Sequence, residues 1–180
     1  MGTINSGKSK EKLVADSRTT MTELVMPNDT NPLGDLMGGY LMRWMDIAGA
    51  ICASRHCESH VVTASVDHVS FQSPIKLGEI ITLHAQVTRA FRTSVEVFVE
   101  VIANSMGGGN ERKCNHAYLS FVALDPTTRK PKEIPSVRPL TSEEVKLYEG
   151  AARRREVRLI LAGRMKPSDA LDLRAFFLEQ

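Results

Sequence analysis

The sequence predicts an α+β domain in which a curved antiparallel β-sheet wraps around one long buried helix, with a helical extension at the C-terminus. Three observations carry this. Residues 38–56 place Leu41, Met42, Met45, Ile47, Ala48, Ala50, Ile51, Cys52 and Ala53 on nearly every helical face, and Arg43 and Asp46 are the only charges before the final turn. A helix that is apolar all round is a buried one. Four long strand-like runs follow it, joined by short turn-rich links, which is the pattern of hairpins in an antiparallel sheet. A chain of 180 residues encloses such a helix, about 27 Å long, only by curving something around it.

Taken in order, residues 1–17 read as a polar, mobile tail. Gly2 to Ser9 matches the phosphate-loop pattern GxxxxGK[ST], and Met1-Gly2 with Ser6 fits a myristoylation start. The loop needs a strand before it and a helix after it, and here only Met1 precedes while Lys10-Glu11-Lys12 follows. Residues 18–26, rich in Thr and Val, predict a strand. The turn-rich stretch 27–35 follows, in which Pro32 pushes Asn31 away from helical dihedrals. After the helix, strands are predicted over 61–71, 79–91, 93–103 and 112–125. Val95, Val97, Val99 and Val101 alternate with Glu96, Phe98 and Glu100, a clear period of two. Residues 126–139 hold four prolines and predict no regular element. Thr141-Ser-Glu-Glu144 is a capping box, so a helix runs from there to about residue 162, where Gly163 is placed to end it. Ser168-Asp169 starts a last short helix carrying Leu171, Leu173, Phe176 and Phe177. The organisation is a tail (1–17), a domain (18–135), and a Pro-rich linker with C-terminal helices (136–180).

Composition excludes several classes. A net charge of +2 is too balanced for a nucleic-acid binder. No run approaches the length of a membrane span, and the N-terminus lacks the apolar core of a secretion signal. Cys52, Cys57 and Cys114 form no CxxC pair, so no zinc signature is present, and free thiols fit a reducing, cytoplasmic compartment. His56, His60, His68, His84 and His116 show no ligand-like grouping, so no metal is expected. The serine-hydrolase elbow GxSxG is absent. Arg153-Arg154-Arg155 and Arg158 follow Glu143 and Glu144 on one helix, an order that suits the helix dipole and a solvated or subunit-contacting face.

Several stretches resemble one family in order and spacing. They are Met26 to Asp46 (MPNDTNPLGDLMGGYLMRWMD), Val62 to Asp67 (VTASVD), Arg92 to Val95 (RTSV) and Ala117 to Asp125. Together they resemble the hotdog-fold acyl-CoA thioesterases, in the branch of the bacterial broad-range acyl-CoA hydrolases and the mammalian brain acyl-CoA hydrolase. The resemblance spans residues 18–135. It implies an enzyme that hydrolyses acyl-CoA to free fatty acid and coenzyme A. Coenzyme A is then part of the substrate, and no metal or redox cofactor is needed. It also implies a homodimer whose sheets join edge to edge, which removes exposed edges, and often a hexamer of three such dimers. No nucleic-acid or membrane partner is implied.

Thioester hydrolysis needs an activated water or a nucleophile, donors for the oxyanion, and a hold on the coenzyme. Asp46 is the candidate general base or nucleophile, a lone carboxylate on an apolar helix and the position on which the family's catalytic carboxylate falls. The alternative is an exposed i, i+3 pair with Arg43. Asn31 is its partner by resemblance, positioning the water or the carbonyl from the other subunit of the dimer; by itself, Asn before Pro simply initiates a turn. Gly38 and Gly39 begin the helix, where unpaired N–H groups and the dipole make an oxyanion site; glycine there also just allows the chain to cross from strand to helix. Arg92, Thr93 and Ser94 lie, by resemblance, along the coenzyme A groove, with hydroxyls and a guanidinium suited to phosphate or pantetheine; the plain reading is a hairpin with an exposed Arg.

Three rivals share the fold. A non-catalytic acyl-CoA sensor would carry a DNA-binding module, for which the tail is too short. A hotdog dehydratase would use a His, and none lies between Pro27 and Met45. A scaffold protein built on the C-terminal helices is the third.

Overall fold

The computed structural model describes residues 11–178, and the two N-terminal motifs at residues 1–9 lie outside them. The chain divides into two units, one ending at Arg138 and the other beginning at Pro139.

The first unit is built on a five-stranded antiparallel sheet in the order β2-β4-β5-β6-β3. Its strands are β2 (Thr19–Leu24), β3 (His60–Phe71), β4 (Glu79–Ala90), β5 (Ser94–Ser105) and β6 (Arg112–Leu124), and α1 (Gly38–Cys57) packs across all five. The period of two works as expected: Val95, Val97, Val99, Val101 and Ala103 all turn inward and are fully buried, as are Leu119, Phe121 and Ala123 on β6. The helix approaches β6 so closely that a Cβ on Gly49 would lie 3.0 Å from the Phe121 ring. Gly49→Ala should therefore destabilise the fold by about 1–3 kcal/mol through overpacking, read from chemical denaturation; an unchanged midpoint would mean that the ring yields freely.

Three expectations need correction. First, α1 is not enclosed all round. Trp44, Met45, Ala48, Cys52 and Ala53 are buried, but Gly39, Arg43, Ile51 and Arg55 form an exposed stripe. The reason is that β2 and β3 remain unpaired edges of an open sheet, which covers one side of the helix only. Second, the described end of the tail is ordered. β1 (Lys12–Leu13) pairs in parallel with β7 (Val137–Arg138), and Val14 is buried behind it. Lys12 Nζ also donates to the Arg55 carbonyl at 2.9 Å and meets Glu58 at 2.7 Å. Third, β7 is itself a regular element inside the Pro-rich stretch, sitting in the gap between Pro135 and Pro139.

His56, near the end of α1, is fully buried and its Nε2 hydrogen-bonds the Pro135 carbonyl at 3.0 Å. Its Nδ1 is buried without a partner. Burial outweighs that bond and holds the imidazole below its ordinary pKa. The unfolded chain therefore binds the proton first, so stability is complete above about pH 6.5 and falls as pH drops below it. The melting temperature should decline between about pH 6.5 and pH 5, and His56→Gln should flatten that decline.

In the second unit, α2 (Ser142–Leu161) starts on the expected capping box: Glu144 N donates to Thr141 Oγ1 at 3.2 Å, and Glu144 Oε2 accepts from Thr141 N at 3.2 Å. Gly163, at φ +67°, ends it. A single 3₁₀ turn (Pro167–Asp169) precedes α3 (Leu171–Leu178), whose first N–H groups are capped by the Glu156 carboxylate. None of the described helices is long and apolar enough to cross a membrane.

Candidate active site

Asp46 lies two turns into α1, half-buried beside β3. Its Oδ1 accepts a 2.6 Å hydrogen bond from Thr63 Oγ1. Arg43 is exposed, and among the described residues no ion pair joins it to Asp46. Thr63 pairs with Phe121, whose ring is buried against α1, so the alternation of the sheet turns Thr63 to the same helix-facing side; the register slips just beyond it, between Thr63 and Ser65.

Asn31 organises the loop that leads into the helix. Its Oδ1 accepts from the N–H groups of Leu33 and Asp35, at 2.9 and 3.2 Å, and its own N–H donates to the Asp35 carbonyl at 2.8 Å. The turn role expected from Pro32 is real and occupies the oxygen. The Nδ2 amide takes no part in these two bonds. Among the described residues no hydrogen bond links Asn31 to Asp46.

Past this loop, Met37 is the N-cap of α1 and offers no side-chain cap. The first intrahelical bonds run from Tyr40 and Leu41 to the Met37 carbonyl, which leaves the N–H groups of Gly38 and Gly39 ahead of the ladder. Gly38 is packed by the Phe71 ring, whose edge would lie 3.2 Å from a Cβ there; Gly39 is open.

Arg92, Thr93 and Ser94 form the tight β4–β5 hairpin, closed by Phe91 N–H to the Ser94 carbonyl at 2.8 Å. Arg92 is exposed and 3.6 Å from the equally exposed Glu133. Val95 pairs with Phe121, which pairs with Thr63, so the hairpin adjoins the sheet level of Thr63, about 10 Å and two strands away. Thus the structure joins Asp46 to Thr63 and sets Gly38 about 12 Å along the helix from Asp46.

Thr63 is the residue that sequence reasoning missed. Thr within a β-branched run is ordinary strand composition, and only its hydrogen bond to Asp46 distinguishes it. The cysteines contribute nothing nucleophilic: all three are free and buried, and burial pushes the Cys52 thiol up to about 12 and Cys57 to about 11.

A helix laid across a curved antiparallel sheet, with a carboxylate on its second turn and open N–H groups at its start, defines the class of hotdog hydrolases. The Thioesterase superfamily profile matches residues 33–109. The uncharacterized acyl-CoA thioester hydrolase YkhA of Bacillus subtilis is 40% identical over 77% of this chain and 80% of its own length. The acetyl-coenzyme A thioesterase of Mus musculus is 34% identical over 83% of this chain, which spans only 27% of that longer protein. Among solved structures, an apo-hexameric acyl-CoA thioesterase superposes with a TM-score of 0.82 at 41% identity, covering 85% of this chain and 97% of its own. The acyl-CoA hydrolase of Staphylococcus aureus, in complex with butyryl coenzyme A, coenzyme A and coenzyme A disulfide, gives 0.79 at 34% identity, covering 94% and 99%. Structures of that hydrolase also include alanine variants at an aspartate, an asparagine and a threonine. The chain belongs to the thioesterase superfamily, among its acyl-CoA thioester hydrolases.

Proposed function

We propose that this chain hydrolyses acyl-CoA to free fatty acid and coenzyme A, with Asp46 as general base. The hydrogen bond from Thr63 to Asp46 carries the assignment, because it turns an isolated acid into an oriented one. Thr63 leaves the second carboxylate oxygen to take a proton from water. The water attacks the thioester carbonyl, whose developing oxyanion is met by the N–H groups of Gly38 and Gly39 at the positive end of α1 in the other subunit of the dimer, since within one chain they lie about 12 Å from Asp46. The tetrahedral intermediate collapses, the C–S bond breaks, and the proton held by Asp46 passes to the departing thiolate. Water supplies the oxygen, so the residues described need no metal or redox cofactor.

The catalytic unit is a homodimer, with Asn31 Nδ2 of one subunit reaching toward Asp46 of the other. Two features support this. β3 is a 12-residue unpaired edge that exposes Val62, Val66 and Phe71, the kind of edge that proteins cover. The exposed stripe of α1 around Ile51 offers a second uncovered surface. A trimer of such dimers is the further assembly, by likeness to the hexameric relative. Arg92, Thr93 and Ser94 hold the coenzyme's phosphates and pantetheine. The free, buried thiols suit a reducing cytoplasm.

Thiol release over acyl-CoAs from acetyl to palmitoyl tests the reaction directly; no release from any of them would refute it. Thr63→Val keeps the shape and removes the donor. Loss of a hydrogen bond to a charged group should lower kcat by about 10- to 100-fold. A fully active Thr63→Val enzyme would show that Asp46 needs no such support.

A further inference from the structure

Asn31 and the glycines Gly38 and Gly39 stand on one stretch of chain, and a neighbouring loop holds that stretch in place. Residues 72–78, between β3 and β4, pair with residues 34–36. The Leu36 N–H donates to the Ile75 carbonyl at 2.7 Å and the Leu77 N–H to the Gly34 carbonyl at 3.0 Å, on either side of an antiparallel bridge between Asp35 and Lys76. Asp35 is also the residue that Asn31 bonds twice, and Gly38 lies two residues beyond Leu36. The loop itself is fastened by Arg112, the first residue of β6. Its guanidinium gives Glu79 two bonds, Nη1 to Oε1 at 2.8 Å and Nη2 to Oε2 at 2.7 Å, and Nη2 also donates to the Pro74 carbonyl at 2.8 Å. Glu79 Oε2 accepts the Lys76 N–H at 2.8 Å. Pro74 and Lys76 flank Ile75, so one ion pair grips the loop on both sides of the residue that receives Leu36.

A two-pronged Arg–carboxylate pair is stronger and more directional than an ordinary surface ion pair. Both side chains are largely shielded, Arg112 at 32% and Glu79 at 14% exposure. The Arg112 hydrogen bonds hold the Glu79 carboxyl below its ordinary pKa, so the pair stays charged at neutral pH. We infer that Arg112 and Glu79 are positioning residues for the hydrolysis, setting through the 72–78 loop where Asn31 and the N–H groups of Gly38 and Gly39 stand. The proposal rests on the acyl-CoA reading and extends it from the groups at the reacting atoms to the pair behind them. Oxyanion donors act only in register with the reacting carbonyl, and a displacement of about 1 Å can cost about 100-fold in rate. A pair that merely closed a corner of the sheet would change stability and leave the turnover of each folded site alone. Site ownership sharpens the distinction. The pair serves the loop of its own subunit, and in the proposed dimer that loop faces the Asp46 of the other.

The test is thiol release by full-length variants, with kcat counted per folded site from melting curves. Arg112→Met should lower kcat by about 10- to 100-fold and leave KM within about twofold. Arg112→Lys should keep part of what Arg112→Met loses, since an ammonium reaches one partner but lacks the fork. The isosteric Glu79→Gln, which decides the matter if Arg112→Met fails to fold, should lower kcat by at least about fivefold. Added to Arg112→Met, it should cost little more, because the two act as one unit. Co-refolded with Asp46→Asn, Arg112→Met should recover to about a quarter of wild-type activity, because mixed dimers then hold one intact site. Co-refolded with Asn31→Ala it should recover nothing, because every site then carries one damaged loop. Full kcat in the folded Arg112→Met and Glu79→Gln enzymes would overturn the proposal. So would recovery with Asn31→Ala, or none with Asp46→Asn where Asn31→Ala and Asp46→Asn do restore one another. If those two fail to do so, the shared site is wrong, and the kcat values alone decide the role of the pair. A wild-type chain that releases thiol from no acyl-CoA would refute the hydrolysis itself, and the proposal with it.

Discussion

Asp46→Asn is expected to lower turnover by at least about 100-fold, the ordinary consequence of losing a general base. The substitution is isosteric. The amide oxygen it introduces can still accept the Thr63 hydroxyl, so the geometry of α1 against β3 survives. Asp46 is half-buried and outside the packed interior of Met45, Ala48 and Phe121, so stability should change little. What disappears is the capacity to take a proton from water. The N–H groups of Gly38 and Gly39 remain and should sustain a residual rate. Thiol release by the purified variant, beside its melting curve and elution volume, checks all three expectations. Near wild-type turnover would remove Asp46 from the mechanism.

Much of the fold was legible because its signals are local. The helix was expected over 38–56 and runs Gly38–Cys57; the strands differ from their predicted limits by one or two residues at most ends. Val95 to Val101 showed their face through a period of two, and Thr141 to Glu144 showed a helix start through side chains that cap it. The pairing of Lys12–Leu13 with Val137–Arg138 had no such signal. It joins two-residue strands from opposite ends of the unit, and neither has a pattern of its own. The apolar circumference of α1 correctly announced burial, but a sequence cannot say whether its own sheet or another chain supplies the cover. In the site, Asp46 stood out as the lone acid among apolar neighbours. Asn31 was visible mainly as a turn former, and that is what its oxygen does. Thr63 was invisible because its role comes from meeting Asp46 across the contact between α1 and β3, which no local pattern announces.

In the proposed dimer each active site is shared, with Asn31 from one subunit and Asp46 from the other. Two inactive enzymes should then restore one another. In a dimer of Asn31→Ala with Asp46→Asn, one site holds both defects and the other holds neither. Random exchange on co-refolding makes about half of the dimers mixed, each with one intact site of two, so activity should return to about a quarter of wild type. Either variant alone should stay far below that level. The decisive measurement is thiol release by the co-refolded mixture, with mixed oligomers confirmed by native mass spectrometry of differently tagged chains. Recovery to about a quarter of wild-type activity is the expected outcome. A mixture as inactive as its parents, despite confirmed mixed dimers, would rule out the shared site.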